Sequence, residues 1–390
     1  MAPDTTCVPK YYSSWFEIDL DALRYNYRYI AARVAPSKVI ATIKANAIGH
    51  GARMVGRTLQ AEGVHLLAVS NFLESMDLRK HGVTAGILAM NGLLPDQMEM
   101  AIEHDVSFFV FNADAARTAN DLGRKAGKKA RVHLKVDTGM GRLGILPDDA
   151  PALALALRGL DWLSIEGVAS HLASPYVPEH DWFSVQQYEL FVKAAQILDP
   201  EHRATWHFTA SSGVLRFPQA YSDAVRFQGI LYGLARVWPL PWPLKPVASY
   251  KARVIQVKTL PKGHNIGYGL HYTTNRTSRI AIVPTGTVDG LTFEHADTGL
   301  VLIRGKRCHI RGICACEMMV DVTGVDGVEP GDEVVLIGRQ GEDYLSAPEF
   351  AALVNTNYTT ILAKASWRVP RIYFSEGKRV GIEVFGEESN

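Results

Sequence analysis

Charge of one sign is what this sequence lacks most plainly. Its 390 residues carry 41 Lys and Arg against 40 Asp and Glu, a formal net charge of +1. No basic excess exists to bind nucleic acid by counterion release, so any partner must be found from local chemistry. Cysteine is scarce as well. Cys7, Cys308, Cys314 and Cys316 are too few for a disulfide scaffold. The Cys314-Ala315-Cys316 spacing suits a metal poorly without a second Cys or His pair, and His309 is a thin complement. Reduced thiols on a strand, with no metal, are expected there. Long hydrophobic runs are missing too: no stretch of about 18 apolar residues appears, so no membrane span is expected. The polar segment from Met1 to Ser14, with Pro3 and Pro9, has no apolar core of a signal peptide. A cytoplasmic enzyme follows as the default. Hydrophobic residues at 47% and charged residues at 21% are ordinary for a globular chain and exclude disordered, collagen-like and coiled-coil classes.

What is present is alternation. Short apolar runs at Val39–Ala45, Leu66–Ser70, Ala85–Asn91, Val106–Asn112, Ala130–Asp137, Leu163–His171, Thr205–Ser211 and Ala224–Gln228 read as buried strands. Between them, Ala52–Ala61, Pro95–His104, Ala113–Ala126 and Asp181–Leu198 carry apolar residues at helical spacing, with Asn112 and Asp181 as candidate caps. Eight such units predict a (β/α)8 TIM-type barrel. A doubly wound sheet is the alternative, but Gly49-His50-Gly51 is not the glycine fingerprint it wants. After Trp238 the texture changes: Pro239, Pro241, Pro243 and Pro246 read as a linker. Beyond it, Lys251–Thr259, Arg279–Val283, Leu300–Arg304, Met318–Val322 and Glu333–Ile337 read as strands, the last after a Pro330-Gly331-Asp332 turn. The expected division is a barrel over residues 1–243 and a mostly β domain over 244–390. The strand Phe16–Ile18 and helix Asp21–Val34 are expected with the barrel, near the domain junction.

Barrels place their chemistry at the C-terminal ends of strands. Reading those ends gives Lys44, then Lys135-Val136-Asp137 followed by Arg142, then His171, His207, Ser211-Ser212-Gly213, and Arg226 before Gly229. Ser211 to Gly213 and Gly229 fall after the seventh and eighth strands, where barrels bind phosphate. A lysine in an apolar strand is costly to bury as an ion, and commitment to an aldehyde as a Schiff base removes that cost. Phosphate plus such a lysine suggests pyridoxal phosphate. Each residue also has a plain structural alternative. Lys44 could snorkel at the rim, His207 could be a satisfied core histidine, Arg226 could pair with Asp223, and Ser211 could cap a helix.

At this point the sequence resembles a family, the alanine racemases, over roughly nine tenths of its length, from Trp15-Phe16-Glu17-Ile18-Asp19-Leu20 to Arg368-Val369-Pro370-Arg371-Ile372-Tyr373. Lys44-Ala45-Asn46-Ala47-Ile48-Gly49-His50-Gly51 resembles the cofactor-lysine motif. Lys135-Val136-Asp137-Thr138-Gly139-Met140-Gly141-Arg142-Leu143-Gly144 is nearly verbatim, and Ile266-Gly267-Tyr268-Gly269 is similar to the segment bearing a second base. The resemblance implies pyridoxal phosphate on Lys44, with Lys44 and Tyr268 as opposed bases and Tyr268 supplied by the partner subunit of a head-to-tail homodimer. It implies Arg226 at the pyridine nitrogen and His207 near the ring. Ser211, the backbone of Gly229 and Tyr373 would hold the phosphate, and Arg142 the phenolic oxygen and substrate carboxylate. His171 would lie behind the catalytic Tyr or Arg, and Lys135 matches a position carbamylated in some relatives. Lys and Tyr side chains ordinarily titrate near about 10, so such a site must depress them.

The sequence also departs from the family. Ile48 replaces a tyrosine that commonly reaches the phosphate. Thr287, in Gly286-Thr287-Val288-Asp289-Gly290, replaces a tyrosine that helps gate the entrance. Ala315 replaces a methionine at the substrate end, and Ala210 stands where Asn is common. Loss of bulk at Thr287 and Ala315 suggests a substrate larger or more polar than alanine, unless Leu291 or Phe293 compensates. The expected function is a pyridoxal-phosphate-dependent racemase or epimerase acting on a small amino acid. An aldolase or other Cα/Cβ chemistry on the same scaffold, and a non-catalytic cofactor-binding protein, are the alternatives.

Overall fold

Strands of a parallel barrel are covered on both faces, so their sequences run continuously apolar. The barrel strands here have that character. In order, with the N-terminal strand Ser14–Asp19 as β1, they are β2 (Lys38–Thr42), β3 (Leu66–Val69), β4 (Ile87–Ala89), β5 (Val106–Val110), β6 (Ala130–Lys135), β7 (Leu163–Ala169), β8 (Thr205–Ala210) and β9 (Ala224–Phe227). Neighbours pair in parallel, and β2 pairs with β9 to close the barrel. Every residue of β3, β5 and β9 is buried. Ile40, Leu66, Ala68, Leu88, Phe109, Ala169 and Ala224, from six strands, form one apolar cluster. The computed structural model describes residues 8–235, 240–365 and 368–384. Cys7, Trp238 and Pro239 lie outside them.

Helices connect the strands. Ala52–Ala61, Pro95–Glu103, Ala113–Ala126 and Asp181–Leu198 are as expected, and Phe72–Lys80 and Ala150–Ala156 are additional. Asn112 caps its helix by accepting the Ala115 N–H at 2.7 Å. Asp181 does not cap. It is the first helical residue, and its carboxylate takes two bonds at 2.8 Å from Arg216. Among the described residues no helix is long and apolar enough to cross a membrane.

The β unit contains β10 (Ala248–Arg253), β11 (Gln256–Leu260), β12 (Asn265–Ile266), β13 (Tyr272–Thr273), β14 (Ser278–Val283), β15 (Leu300–Ile303), β16 (Lys306–Ile313), β17 (Met318–Asp321), β18 (Glu333–Gln340), β19 (Asp343–Leu345), β20 (Arg371–Ser375) and β21 (Lys378–Glu383). Its main sheet runs β11-β14-β17-β16-β15-β18-β10-β1-β20-β21, with β19 on β18. The run expected as one strand, Lys251–Thr259, is two, since β10 ends at Arg253 and β11 starts at Gln256. Cys314–Cys316, expected on a strand, lies instead in the turn between β16 and β17.

The chain does not divide at a single point near residue 243. The barrel unit takes residues 24–47 and 52–244, while the β unit takes the chain through Leu23, residues 48–51 and everything from Lys245. The reason is β1. It is antiparallel to β10 and parallel to β20, so both of its edges are hydrogen-bonded inside the β sheet. Phe16 on this strand is 1% exposed and stacks on Tyr250, ring centroids 4.4 Å apart. Phe16→Ala should therefore cost about 3–5 kcal/mol in urea unfolding. A loss of no more than about 0.5 kcal/mol, the scale of a surface change, would mean β1 is peripheral to the sheet.

Candidate active site

Lys44 lies two residues past the end of β2. Burial pushes its ammonium below the ordinary lysine range. Arg142 and Arg226 push the same way, and Glu74 opposes them. The backbone then does something uncommon: Ala45, Asn46, Ala47 and Ile48 all have φ between 51° and 54°. Left-handed backbone costs a residue with a Cβ roughly 1–2 kcal/mol, so four in a row must be held. Glu74 accepts the Ala45 N–H at 2.6 Å, Ile43 the Ala47 N–H at 2.8 Å, and the Asn46 side chain the Ala52 N–H at 2.7 Å. Strain of this kind gathers where a side chain must be aimed. Glu74 was not singled out from sequence, although Asn71, which caps it, and the Asn-x-x-Glu spacing were a local signal.

The loop after β6 is built on Asp137. Its carboxylate accepts the N–H groups of Gly139, Met140, Gly141 and Arg142 at 2.7–3.2 Å. Burial would raise its pKa, but these four bonds outweigh it and hold the group below the usual value. Gly144 is needed beside it, with φ +137° and a Cβ that would fall 2.4 Å from the Asp137 nitrogen. The loop presents Arg142 exposed to solvent.

Arg226 on β9 is the most constrained group. Its Nη1 donates to His207 Nδ1 (2.5 Å) and the His207 carbonyl (2.9 Å). Its Nη2 faces the Ser170 and Phe208 carbonyls (2.5 and 2.8 Å) and His171 Nδ1 (3.2 Å). Asp223 is not its partner. That carboxylate instead takes His202 and the Trp206 N–H, each at 2.8 Å. His207 is thus satisfied, and by more than core packing. The structure also brings in His133, which the sequence reading missed: its Nδ1 lies 2.9 Å from His207 Nε2. Its signal was position, two residues before Lys135 on the same face of a strand. Burial first, then Arg226 with Arg142 or His133, holds both His171 and His207 well below 6.5. The Ser211 hydroxyl is not a helix cap. It accepts the Gln228 N–H at 3.1 Å, tying the end of β8 to the segment where Gly229 opens a short 3-10 turn.

The β unit holds the other candidates. Tyr268 sits at the tip of the β12–β13 hairpin, 72% exposed, beside a cavity of about 170 Å3 also lined by His271, Phe293 and Ile313. Thr287 and Ala315 are neighbours: the Thr287 N–H donates to the Cys314 carbonyl (3.1 Å) and the Val288 N–H to the Ala315 carbonyl (3.0 Å). Gly286 allows this, since a Cβ there would meet both carbonyl oxygens at 2.4 Å. Arg368 bridges the pair of loops, 3.0 Å from Asp289 and 3.6 Å from the Cys316 sulfur. Tyr373 is anchored within the β unit. Its ring is 1% exposed, its hydroxyl donates to Glu383 at 2.7 Å, and it closes on Gly51, where a Cβ would meet that oxygen at 1.7 Å.

Residues 18–236 match the family model described as alanine racemase, N-terminal domain, and residues 247–373 the one described as alanine racemase, C-terminal domain. This chain belongs to the alanine racemase family. A curated alanine racemase of Symbiobacterium thermophilum is 38% identical over 93% of this chain and 97% of its own. The solved alanine racemase of Clostridium difficile 630 superposes with a TM-score of 0.91 at 30% identity, covering 96% of this chain and 99% of that one. The Bartonella henselae alanine racemase, described with covalently bound pyridoxal phosphate, gives 0.84 at 27% identity, over 93% and 99%. The expectations of an amino-acid racemase and of pyridoxal phosphate as its cofactor are met at this level. The residues fit that group. Nη1 and Nη2 of Arg226 are fully committed, and its Nε–H is the one N–H left without a protein partner among the described residues, a donor suited to a ring nitrogen that accepts.

Lys135, 6% exposed, gives its ammonium one acceptor, the Val136 carbonyl at 3.0 Å. Burial, helped by Arg226 and Arg142 and opposed by Asp137, pulls it from 10.5 to about 7. Between those values the unfolded chain binds more proton, so this residue makes the native state gain stability as pH rises. Urea unfolding of the apoprotein in carbonate-free buffer should show it. The wild type should gain stability relative to Lys135→Met between pH 7 and pH 9, and a difference flat with pH would contradict the shift.

Proposed function

We propose that this chain interconverts the L and D forms of an amino acid by two-base proton transfer at Cα, and that its substrate is larger or more polar than alanine. The first part is carried by Lys44 just past the end of a barrel strand, whose amine burial holds below the ordinary lysine range, the direction that favours a proton-exchanging base. The partner subunit's Tyr268 is the second base in this reading. The exposure of Tyr268 on a hairpin tip supports completion of one subunit's site by another, in a head-to-tail homodimer. The cofactor, when bound, supplies an electron sink that acidifies the Cα proton. Lys44 would hold it covalently, Arg226 would donate to its ring nitrogen, and Ser211 with the Gly229 backbone would receive its phosphate. A guanidinium does not give up its proton in a protein, so Arg226 facing that nitrogen would leave it unprotonated, which would limit the sink and favour simple proton return over transamination. Arg142 would hold the substrate carboxylate, with His171 behind Arg226. The lowered Lys135 amine suits carbamylation, which would turn a cation into an anion beside two arginines.

The substrate reading rests on the juxtaposition of Thr287 and Ala315. Both positions have lost bulk, and backbone hydrogen bonds place them side by side. Leu291 is 3% exposed, within the unit's interior, while Phe293, 56% exposed, lines the cavity beside Tyr268.

Two measurements test these readings. Lys44→Ala should lose the visible cofactor band and the activity together. Tyr268→Phe should keep the band while racemisation falls by about 10²–10⁴-fold; a Tyr268→Phe enzyme as active as wild type would remove Tyr268 from the reaction. In a chiral assay across side-chain classes, long or hydroxylated amino acids should turn over faster than alanine, and the Thr287→Tyr, Ala315→Met double variant should shift preference toward alanine. Alanine as the best wild-type substrate would sink the substrate reading while leaving the racemase intact.

A further inference from the structure

A guanidinium only donates, so His207 Nδ1, at 2.5 Å from Arg226 Nη1, must accept. A neutral His207 then carries its proton on Nε2, 2.9 Å from His133 Nδ1, which accepts in turn. His133 is left with its proton on Nε2. Both rings are interior, 0% and 2% exposed. Burial and the neighbouring cations keep both neutral, His133 down at about 3. The chain of bonds therefore has one direction, Arg226 to His207 to His133.

His133 is seated for this. It pairs in register with Gly167, and a Cβ at 167 would lie 2.1 Å from its Nδ1. The β6–β7 ladder shifts register between Val132 and His133, and the β8–β9 ladder shifts just after His207, the kind of irregularity that re-aims a side chain. His133 Nε2 has no hydrogen-bond partner in the structure, so the unsatisfied donor falls at the far end of the chain of bonds, and His207 is satisfied on both nitrogens. An apolar residue at 133 would strand the His207 Nε2–H instead, and a ring that turned to relieve it would withdraw Nδ1 from Arg226.

We infer that His133 is a positioning residue that pins His207, and through it the Arg226 guanidinium, in the orientation that leaves Nε–H unspent. The inference rests on the reading that Arg226 meets the cofactor's ring nitrogen. Long-range 1H–15N spectra of histidine-labelled protein distinguish the two tautomers. In the wild type His207 and His133 should both be protonated at Nε2. His133→Leu removes the acceptor, and should mix the His207 tautomers and weaken pyridoxal phosphate binding, titrated by absorbance on the stripped protein, by on the order of tenfold. His133→Asn keeps an acceptor near the Nδ1 position and should restore both. A wild-type His207 protonated at Nδ1 overturns the inference, and this reading stands even where a variant fails to fold. So does a His133→Leu protein unchanged in both measurements, or a His133→Asn protein as defective as His133→Leu, which marks a packing role. A shift in tautomer with unchanged cofactor affinity would overturn the Arg226 reading instead.

Discussion

The site is organised around a buried cation with no carboxylate partner among the described residues. Arg226 is 5% exposed, and its terminal nitrogens are met by three main-chain carbonyls and two imidazoles. Stranding a charge in the interior costs several kcal/mol unless its hydrogen bonds are filled, and here each partner is constrained in turn. Ser170, His207 and Phe208 must present carbonyl oxygens inward, which fits the register shift between His207 and Ala210 on β8. The two histidines must offer lone pairs, so neither is free to be protonated. Burial is the main cause that lowers the pKa of Lys44 and Lys135, and the guanidinium's charge adds to it, as does Arg142. One residue thereby bears on the tautomers of two histidines and the course of the backbone around it.

A near-neutral chain concentrates positive charge at this one place. Lys44, Lys135, Arg142 and Arg226 act on one another electrostatically, with only Asp137 and Glu74 as opposing carboxylates. Asp137 is largely occupied by four backbone N–H groups and Glu74 by the Ala45 and Ser70 N–H groups. Such a cluster of like charges is unfavourable by itself. The two acids stabilise the backbone that carries Lys44 and Arg142 rather than neutralising the cations. The left-handed turn after Lys44 is held by the same means, through bonds to Glu74, the Ile43 carbonyl and the Asn46 side chain.

The sequence made the barrel legible because burial on both faces leaves the same mark on every strand. All eight appear where the apolar runs lie, and most connecting helices with them. What stayed hidden depends on partners far along the chain. Nothing in Ser14–Asp19 shows that it pairs with β10 and β20, more than two hundred residues away, and so joins the second unit. Asp181 has the right identity and place for a cap, but Arg216 offers a bidentate charged pair that outweighs one backbone N–H. The Cys314–Cys316 stretch is apolar enough for a strand, yet its carbonyls are used to hold Thr287 and Val288. Tyr373 ends a recognisable motif, and only the position of Glu383 reveals where its proton goes.

His133 marks the limit of reading residues by type. A histidine inside an apolar strand is more often structural than catalytic, and its place in Val132-His133-Leu134 gives no hint of partners. Its meaning comes from direction: a guanidinium that can only donate fixes the proton on one histidine, and that histidine fixes the proton on the next. Sequence supplies the three residues on three strands. The barrel's closure and register supply the order, and the order turns a polar cluster into a support with a defined end at Arg226 Nε–H. Thr287 and Ala315 belong to the β unit, held side by side by their own main chain, while the groups hydrogen-bonded to Arg226 belong to the barrel unit.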